Sequence, residues 1–170
     1  MKKVLILLMC ILFMGGCSSE KNKTPPVPEL NFKGDISVTY NNYTLECSIY
    51  NNLAKGCTIT VKKPNLLSGL KMIVKGGNCK LEMGRVSYEF DPTALKQTDF
   101  ATSLSDALVS VLNTTKYSQL DDGSWKYTGQ TEIGQFVLIQ DGETGYPISL
   151  EIPEADLSVK FKNMKSDVDK

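Results

Sequence analysis

Phe32-Lys33-Gly34-Asp35-Ile36-Ser37-Val38-Thr39-Tyr40, then Asn41-Asn42, then Tyr43-Thr44-Leu45-Glu46-Cys47-Ser48-Ile49, is the stretch that decides the fold class. Phe32, Gly34, Ile36, Val38 and Tyr40 take every second position, with Lys33, Asp35, Ser37 and Thr39 between them. Successive side chains of a strand point to opposite faces, so this alternation describes a half-buried strand. Asparagine tolerates left-handed backbone, so Asn41-Asn42 reads as a tight turn. Leu45, Cys47 and Ile49 then resume the apolar phase.

The pattern continues downstream. Asn51-Asn52 reads as a second turn, followed by Cys57, Ile59 and Val61 in phase, and Pro64 ends that strand. Leu70, Met72 and Val74 alternate, Gly76-Gly77-Asn78 turns, and Cys79, Leu81 and Met83 return. Gly84 breaks the run; Val86, Tyr88 and Phe90 follow, and Asp91-Pro92 closes six strands.

The period then changes. Phe100, Leu104, Ala107, Leu108, Val111 and Leu112 recur at three and four, which predicts an amphipathic helix of about four turns. Thr98 or Asp99 suits its N-cap and Asn113 its far end. Four more strands are expected near Trp125–Thr128, Ile133–Gln140, Tyr146–Ile152 and Leu157–Phe161, with turns at Asp121-Asp122-Gly123 and Asp141-Gly142-Glu143. The expected fold is α+β and mostly β: a curved antiparallel sheet, a half-barrel of about ten strands, packed around one central helix.

The chain opens differently. Met1-Lys2-Lys3 is a positive start, Val4–Met14 is an unbroken apolar run, and Gly15-Gly16-Cys17 precedes polar Ser18-Ser19-Glu20. This is the layout of a secretory signal, and the run is too short to span a bilayer as a helix. Met14-Gly15-Gly16-Cys17 resembles the bacterial lipobox, in which the cysteine receives a diacylglycerol, becomes the first residue and is then acylated, for example with palmitate. That resemblance implies lipidation at Cys17 and residence on the outer face of the cell membrane, or on an outer membrane where one exists. The expected division is a signal over 1–16, a lipidated Pro-rich tether over 17–30, one domain over 31–163 and a polar tail over 164–170. Pro25, Pro26 and Pro28 favour an extended spacer.

Of 170 residues, 19 are basic and 19 acidic, and none is histidine. Loss of residues 1–16 removes Lys2 and Lys3 and no acid, leaving 17 basic and 19 acidic groups. That balance excludes a strongly basic nucleic-acid binder. Without histidine there is no His-based triad, general base or zinc site. Arg85 stands alone, which argues against an arginine cluster for phosphate.

Under the lipobox, this element order together with Phe32-Lys33-Gly34-Asp35 and Val61-Lys62-Lys63-Pro64-Asn65-Leu66-Leu67-Ser68-Gly69-Leu70 resembles the LolA/LolB-like superfamily of bacterial envelope proteins, which includes LppX-type lipoproteins. The resemblance covers roughly residues 31–163. It implies an incomplete β-barrel whose helices lid a hydrophobic cavity that accepts acyl chains. The long helix found near the first strand in that superfamily has no counterpart here, and Arg85 is not assigned the lid-holding role of the carriers' arginine.

The inward set carries the candidate site: Ile36, Val38, Leu45, Ile59, Met72, Leu81, Tyr88, Leu104, Leu108, Trp125, Phe136 and Ile148, joined by Val86, Tyr127, Leu138 and Leu150. Alternation alone does not separate a hydrophobic-ligand cavity from a filled core. Trp125 and Tyr127 mark a ligand mouth or ordinary strand packing. Cys47, Cys57 and Cys79 lie on the apolar phase; Cys47 facing Cys57 permits a cross-strand disulfide, and three buried small hydrophobes are the alternative. Asp121, Asp122, Asp141 and Glu143 fit turns as well as they fit calcium or paired carboxylates, and no P-loop, EF-hand or nucleophile elbow is present. The expectation is a non-enzyme with no cofactor and no metal. Its expected partners are the membrane, through lipid on Cys17, and a lipid or other hydrophobic ligand. The alternative is an envelope interaction or sensor module with a packed core.

Overall fold

The computed structural model describes residues 24–90 and 100–167, with the side chain of Phe90 excepted. The signal, Cys17, Asp91-Pro92 and the two N-cap candidates lie outside the described residues. Among the described residues, eleven strands and one α-helix follow in order: β1 (Phe32–Tyr40), β2 (Tyr43–Asn52), β3 (Gly56–Lys63), β4 (Lys71–Lys75), β5 (Asn78–Met83), β6 (Val86–Phe90), α1 (Phe100–Ser110), β7 (Tyr117–Gln119), β8 (Trp125–Gln130), β9 (Gln135–Gln140), β10 (Pro147–Ile152) and β11 (Leu157–Ser166).

All eleven strands form one open sheet in the order β6-β5-β4-β3-β2-β1-β11-β10-β9-β8-β7. Two meanders meet where β1 pairs antiparallel with β11, Val38 opposite Val159 and Ile36 opposite Phe161. The edge strands β6 and β7 are consecutive in sequence, and α1 lies between them. The chain that links the two edges therefore carries its helix into the concave side. There the apolar stripe Phe100, Ala101, Leu104, Ala107 and Leu108 is buried against the strands. The core is a single cluster in which Phe32, Ile36, Val38, Ile59, Leu104 and Leu108 have no exposed surface.

Turn chemistry sets the register. Asn41 and Asn42 both have positive φ, 46° and 67°, and join Tyr40 to its partner Tyr43. That is the two-residue turn whose twist suits a hairpin. Gly76 and Gly77 serve the same purpose between Lys75 and Asn78. The turn expected at Asn51-Asn52 lies further on, at residues 53–55, and both asparagines belong to β2. Asn52 Oδ1 accepts from the backbone of Ala54 and Lys55, capping that turn from inside the strand.

Both domain limits shift. β11 runs past Asn163 to Ser166, and Asp167 accepts hydrogen bonds from Tyr50 and Asn52, so the first part of the expected tail is pinned. Residues Thr24–Leu30, read as spacer, include a fully seated Leu30 (2% exposed) and hydrogen bonds to three strands and one turn of the domain. A strand over Tyr117–Gln119, absent from the sequence reading, adds β7.

Candidate functional site

The cross-strand pairs generate apolar rows on the concave face. One runs Tyr88, Leu81, Met72, Ile59, Ile49 across β6 to β2. Another runs Leu45, Val38, Val159, Leu150, Leu138, Tyr127, Tyr117 across β2 to β7. α1 packs on β3 and β4 in one half of the sheet and on β8 in the other. Of the twelve expected lining residues, Ile36, Val38, Ile59, Met72, Leu104, Leu108, Trp125 and Phe136 are buried, and Leu45 and Leu81 are half-buried against them.

Two of the twelve are placed differently. Ile148 is 41% exposed because the β9–β10 register slips between Pro147 and Ser149. That bulge leaves Ile148 without a partner and sends Pro147 inward in its stead. Tyr88 keeps the inward phase, opposite Leu81, but lies beyond the helix and is 65% exposed. Its neighbours Val86 and Met83 share this open flank, at 72% and 45% exposed. On the opposite flank Tyr117 is 45% exposed, its ring 5.9 Å from Trp125 and 6.0 Å from Tyr127. The concave face is thus filled in the middle and apolar but open at both edges.

One end of the sheet is crossed by the segment Thr24–Leu30. Gln140 Nε2 donates to the Pro26 carbonyl at 2.9 Å, and the Tyr127 hydroxyl reaches the same oxygen at 3.4 Å. Asn51 Nδ2 donates to the Leu30 carbonyl at 2.7 Å, and the Glu29 amide to the Gly145 carbonyl at 2.9 Å. Burial, then the nearby Tyr117, pushes the Tyr127 phenol above its ordinary pKa, so it stays a neutral donor. Asparagine signalled a turn and glutamine a strand end, so these contacts left no mark in the alternation.

With that geometry in view, comparison with known proteins places the fold among solved structures. An uncharacterized conserved protein from Thermus thermophilus superposes with a TM-score of 0.52 at 12% identity, over 84% of this chain and 82% of that one. A LolA superfamily protein from Nitrosomonas europaea gives 0.45 at 9% identity, over 85% and 89%. LprF from Mycobacterium bovis gives 0.37 at 12% identity, over 82% and 88%. The first of these is a likeness of fold alone. No family model and no curated protein matches the sequence. The expected architecture, a mostly β open sheet curved around one helix, is the one observed.

The remaining polar and sulfur groups have local tasks. Asp141 Oδ1 accepts from the amides of Glu143 and Thr144 and from the Thr144 hydroxyl, and these bonds hold its carboxyl below the usual range. Asp122 does the same for Ser124. Of the two cysteine readings, the buried small hydrophobes are what the structure shows: Cys47 lies opposite Ile36 and Val61, Cys57 lies opposite Asn51 and Val74, and Cys47, Cys57 and Cys79 are all buried thiols rather than a cross-strand disulfide. Burial pushes the Cys47 and Cys57 thiols up to about 12. Both should therefore resist iodoacetamide at pH 8, with thiolate populations about a thousandfold below those of ordinary thiols. Mass spectrometry before and after unfolding in guanidinium checks this; rapid native labelling of either would refute the packing described.

Proposed function

We propose that this is an exported, lipid-anchored, non-enzymatic envelope protein whose half-barrel takes up a hydrophobic ligand on the open flanks of its concave face. The observation that carries the reading is the mismatch between helix and sheet. α1 covers β3, β4 and β8, while inward-phase Met83, Val86, Tyr88 and Tyr117 remain substantially exposed. Contiguous exposed apolar surface such as Met83, Val86 and Tyr88 at the β5–β6 edge marks a binding face. The membrane attachment rests on the lipobox-like Met14-Gly15-Gly16-Cys17.

The test is to purify the full chain and identify bound lipid by native mass spectrometry, then measure uptake of a fluorescent fatty acid. The double variant Val86→Asp/Tyr117→Asp should weaken uptake about tenfold or more, since an unpaired charge opposes apolar contact. Val86→Asp alone should leave thermal stability nearly unchanged, because Val86 is largely exposed, whereas Tyr117→Asp gives up two aromatic contacts and should cost about 1–2 kcal/mol; the weakened uptake must therefore also be seen in Val86→Asp. A chain that carries no lipid and takes up no probe would sink the reading. The complete burial of Leu104 and Leu108 favours a second one, an interaction module with a packed core. Photocrosslinking from Tyr88 or Tyr117 in intact cells should then recover one envelope protein, and repeated failure would count against it.

A further inference from the structure

Asn51, Tyr127 and Gln140 are polar side chains on the inner face near one end of the sheet. Each directs its donor at the carbonyls of Thr24–Leu30. Asn51 is 5% exposed and Gln140 fully buried, so without this strap Asn51 would lose the Leu30 carbonyl and Gln140 its backbone acceptor, keeping only Tyr127 beside it. The match is incomplete on one atom. Gln140 Oε1 is buried and finds no donor among the described residues.

The composition of the strap explains the deficit. Pro25, Pro26 and Pro28 have no N–H, so the strap meets the rim mainly with carbonyls. It satisfies the donors of Gln140 and Tyr127 and offers nothing to the acceptor. The amide does not gain by turning over, because Oε1 would then face the Pro26 oxygen. Two donors and one acceptor converge, and the strap uses only the donors.

We propose that the strap is a displaceable stand-in, and that the site beneath Pro26 receives the head of an uncharged acyl lipid bearing a carbonyl next to a hydroxyl. The lipid carbonyl takes the place of the Pro26 oxygen at Gln140 Nε2 and Tyr127, and the hydroxyl donates to Gln140 Oε1. Its chain lies along Trp125, Tyr127 and the half-open Tyr117 at the β7 edge. This rests on the hydrophobic-ligand reading and adds to it a place, a head-group chemistry and a competitor within the chain.

The probes are monoolein, which has both groups, methyl oleate, which has only the carbonyl, and 1-octadecene, which has neither. They are titrated into the full chain carrying Cys17→Ala. Monoolein should bind about five- to tenfold more tightly than methyl oleate, the value of one satisfied hydrogen bond. Gln140→Leu should erase that preference, and the milder Tyr127→Phe should lower affinity for both esters alike.

Gly145→Ala acts on the strap itself. At φ +75°, a Cβ there would stand 2.9 Å from the Val27 carbonyl and would prise the strap away. Monoolein should then bind several-fold more tightly, because less of the population is blocked. Hydrogen exchange at the Glu29 amide, bonded to Gly145, should accelerate when wild type is saturated with monoolein. Equal affinity for monoolein and methyl oleate, or an unchanged Glu29 amide at saturation, overturns the head-group site while leaving ligand uptake intact. If none of the three probes binds, the ligand reading itself fails and this site with it.

Discussion

Phe136→Ala is expected to lower folding stability by about 3–5 kcal/mol, the range for removing a fully buried phenylalanine. That should drop the melting temperature by roughly 10 °C in a domain of this size. Phe136 has no exposed surface and lies opposite Gly129 on the inner face of β8–β9. Its ring occupies the space a Gly129 side chain would need: a Cβ there would stand 2.4 Å from ring carbons Cε1 and Cζ and 2.8 Å from Thr114 Oγ1. Gly129→Ala alone should therefore cost about 1–3 kcal/mol by overpacking. The double variant should cost less than the sum, by roughly 1 kcal/mol or more, because the new methyl enters the space the ring vacated. Urea unfolding of the four proteins measures the coupling. Strict additivity would mean that the ring does not rest on Gly129.

The same contact illustrates what the sequence carried. Wherever a strand kept its inward phase against two neighbours, as at Ile36, Val38 and Ile59, period-two alternation identified the buried residue. The helix was legible up to Val111, because its stripe at three and four has no strand interpretation; the α-helix ends at Ser110, and Leu112, in the expected stripe, is exposed on the 3-10 turn that follows. Alternation failed where a third element intervened. The bulge at Pro147–Ser149 is one extra residue, and one residue reverses every side chain beyond it, so Ile148 was assigned inward. Tyr88 has the correct phase and the wrong exposure, because the reach of α1 is a tertiary quantity. β7 is three residues long, exposed throughout and without alternation to detect. The strap escaped for a different reason. Prolines announce extended backbone, and extended backbone looks identical whether it floats or rests on Gln140 and Asn51. The free acceptor of Gln140 is a property of contacts 114 residues apart, which no local pattern contains.

Cys17→Ala is expected to move the protein almost entirely from the detergent phase to the aqueous phase in Triton X-114 partitioning. Each buried methylene contributes ~0.8 kcal/mol to membrane residence, and a single myristoyl chain gives only marginal, reversible binding. On the proposed lipidation, a diacylglycerol on Cys17 would supply two chains and make attachment stable, so losing the thiol would remove the lipid anchor. Net charge offers no substitute, since 17 basic groups face 19 acidic ones after residue 16. The fold should be untouched, because among the described residues the core begins at Leu30. Intact mass separates the outcomes: a variant that stays in the detergent phase after losing residues 1–16 would refute the anchor, whereas retention with the apolar run still attached reports a blocked cleavage. The proposed anchor would also give the strap a mechanical meaning. With Thr24–Leu30 seated, six residues separate Cys17 from the domain, a reach of at most about 20 Å; releasing the strap adds seven more and roughly doubles it. A ligand that displaces Pro26 from Gln140 would thereby let the loaded domain stand further from the membrane than the empty one. Distances from Cys17-bound lipid to the domain, measured with and without monoolein, should lengthen together with the loss of Glu29 protection.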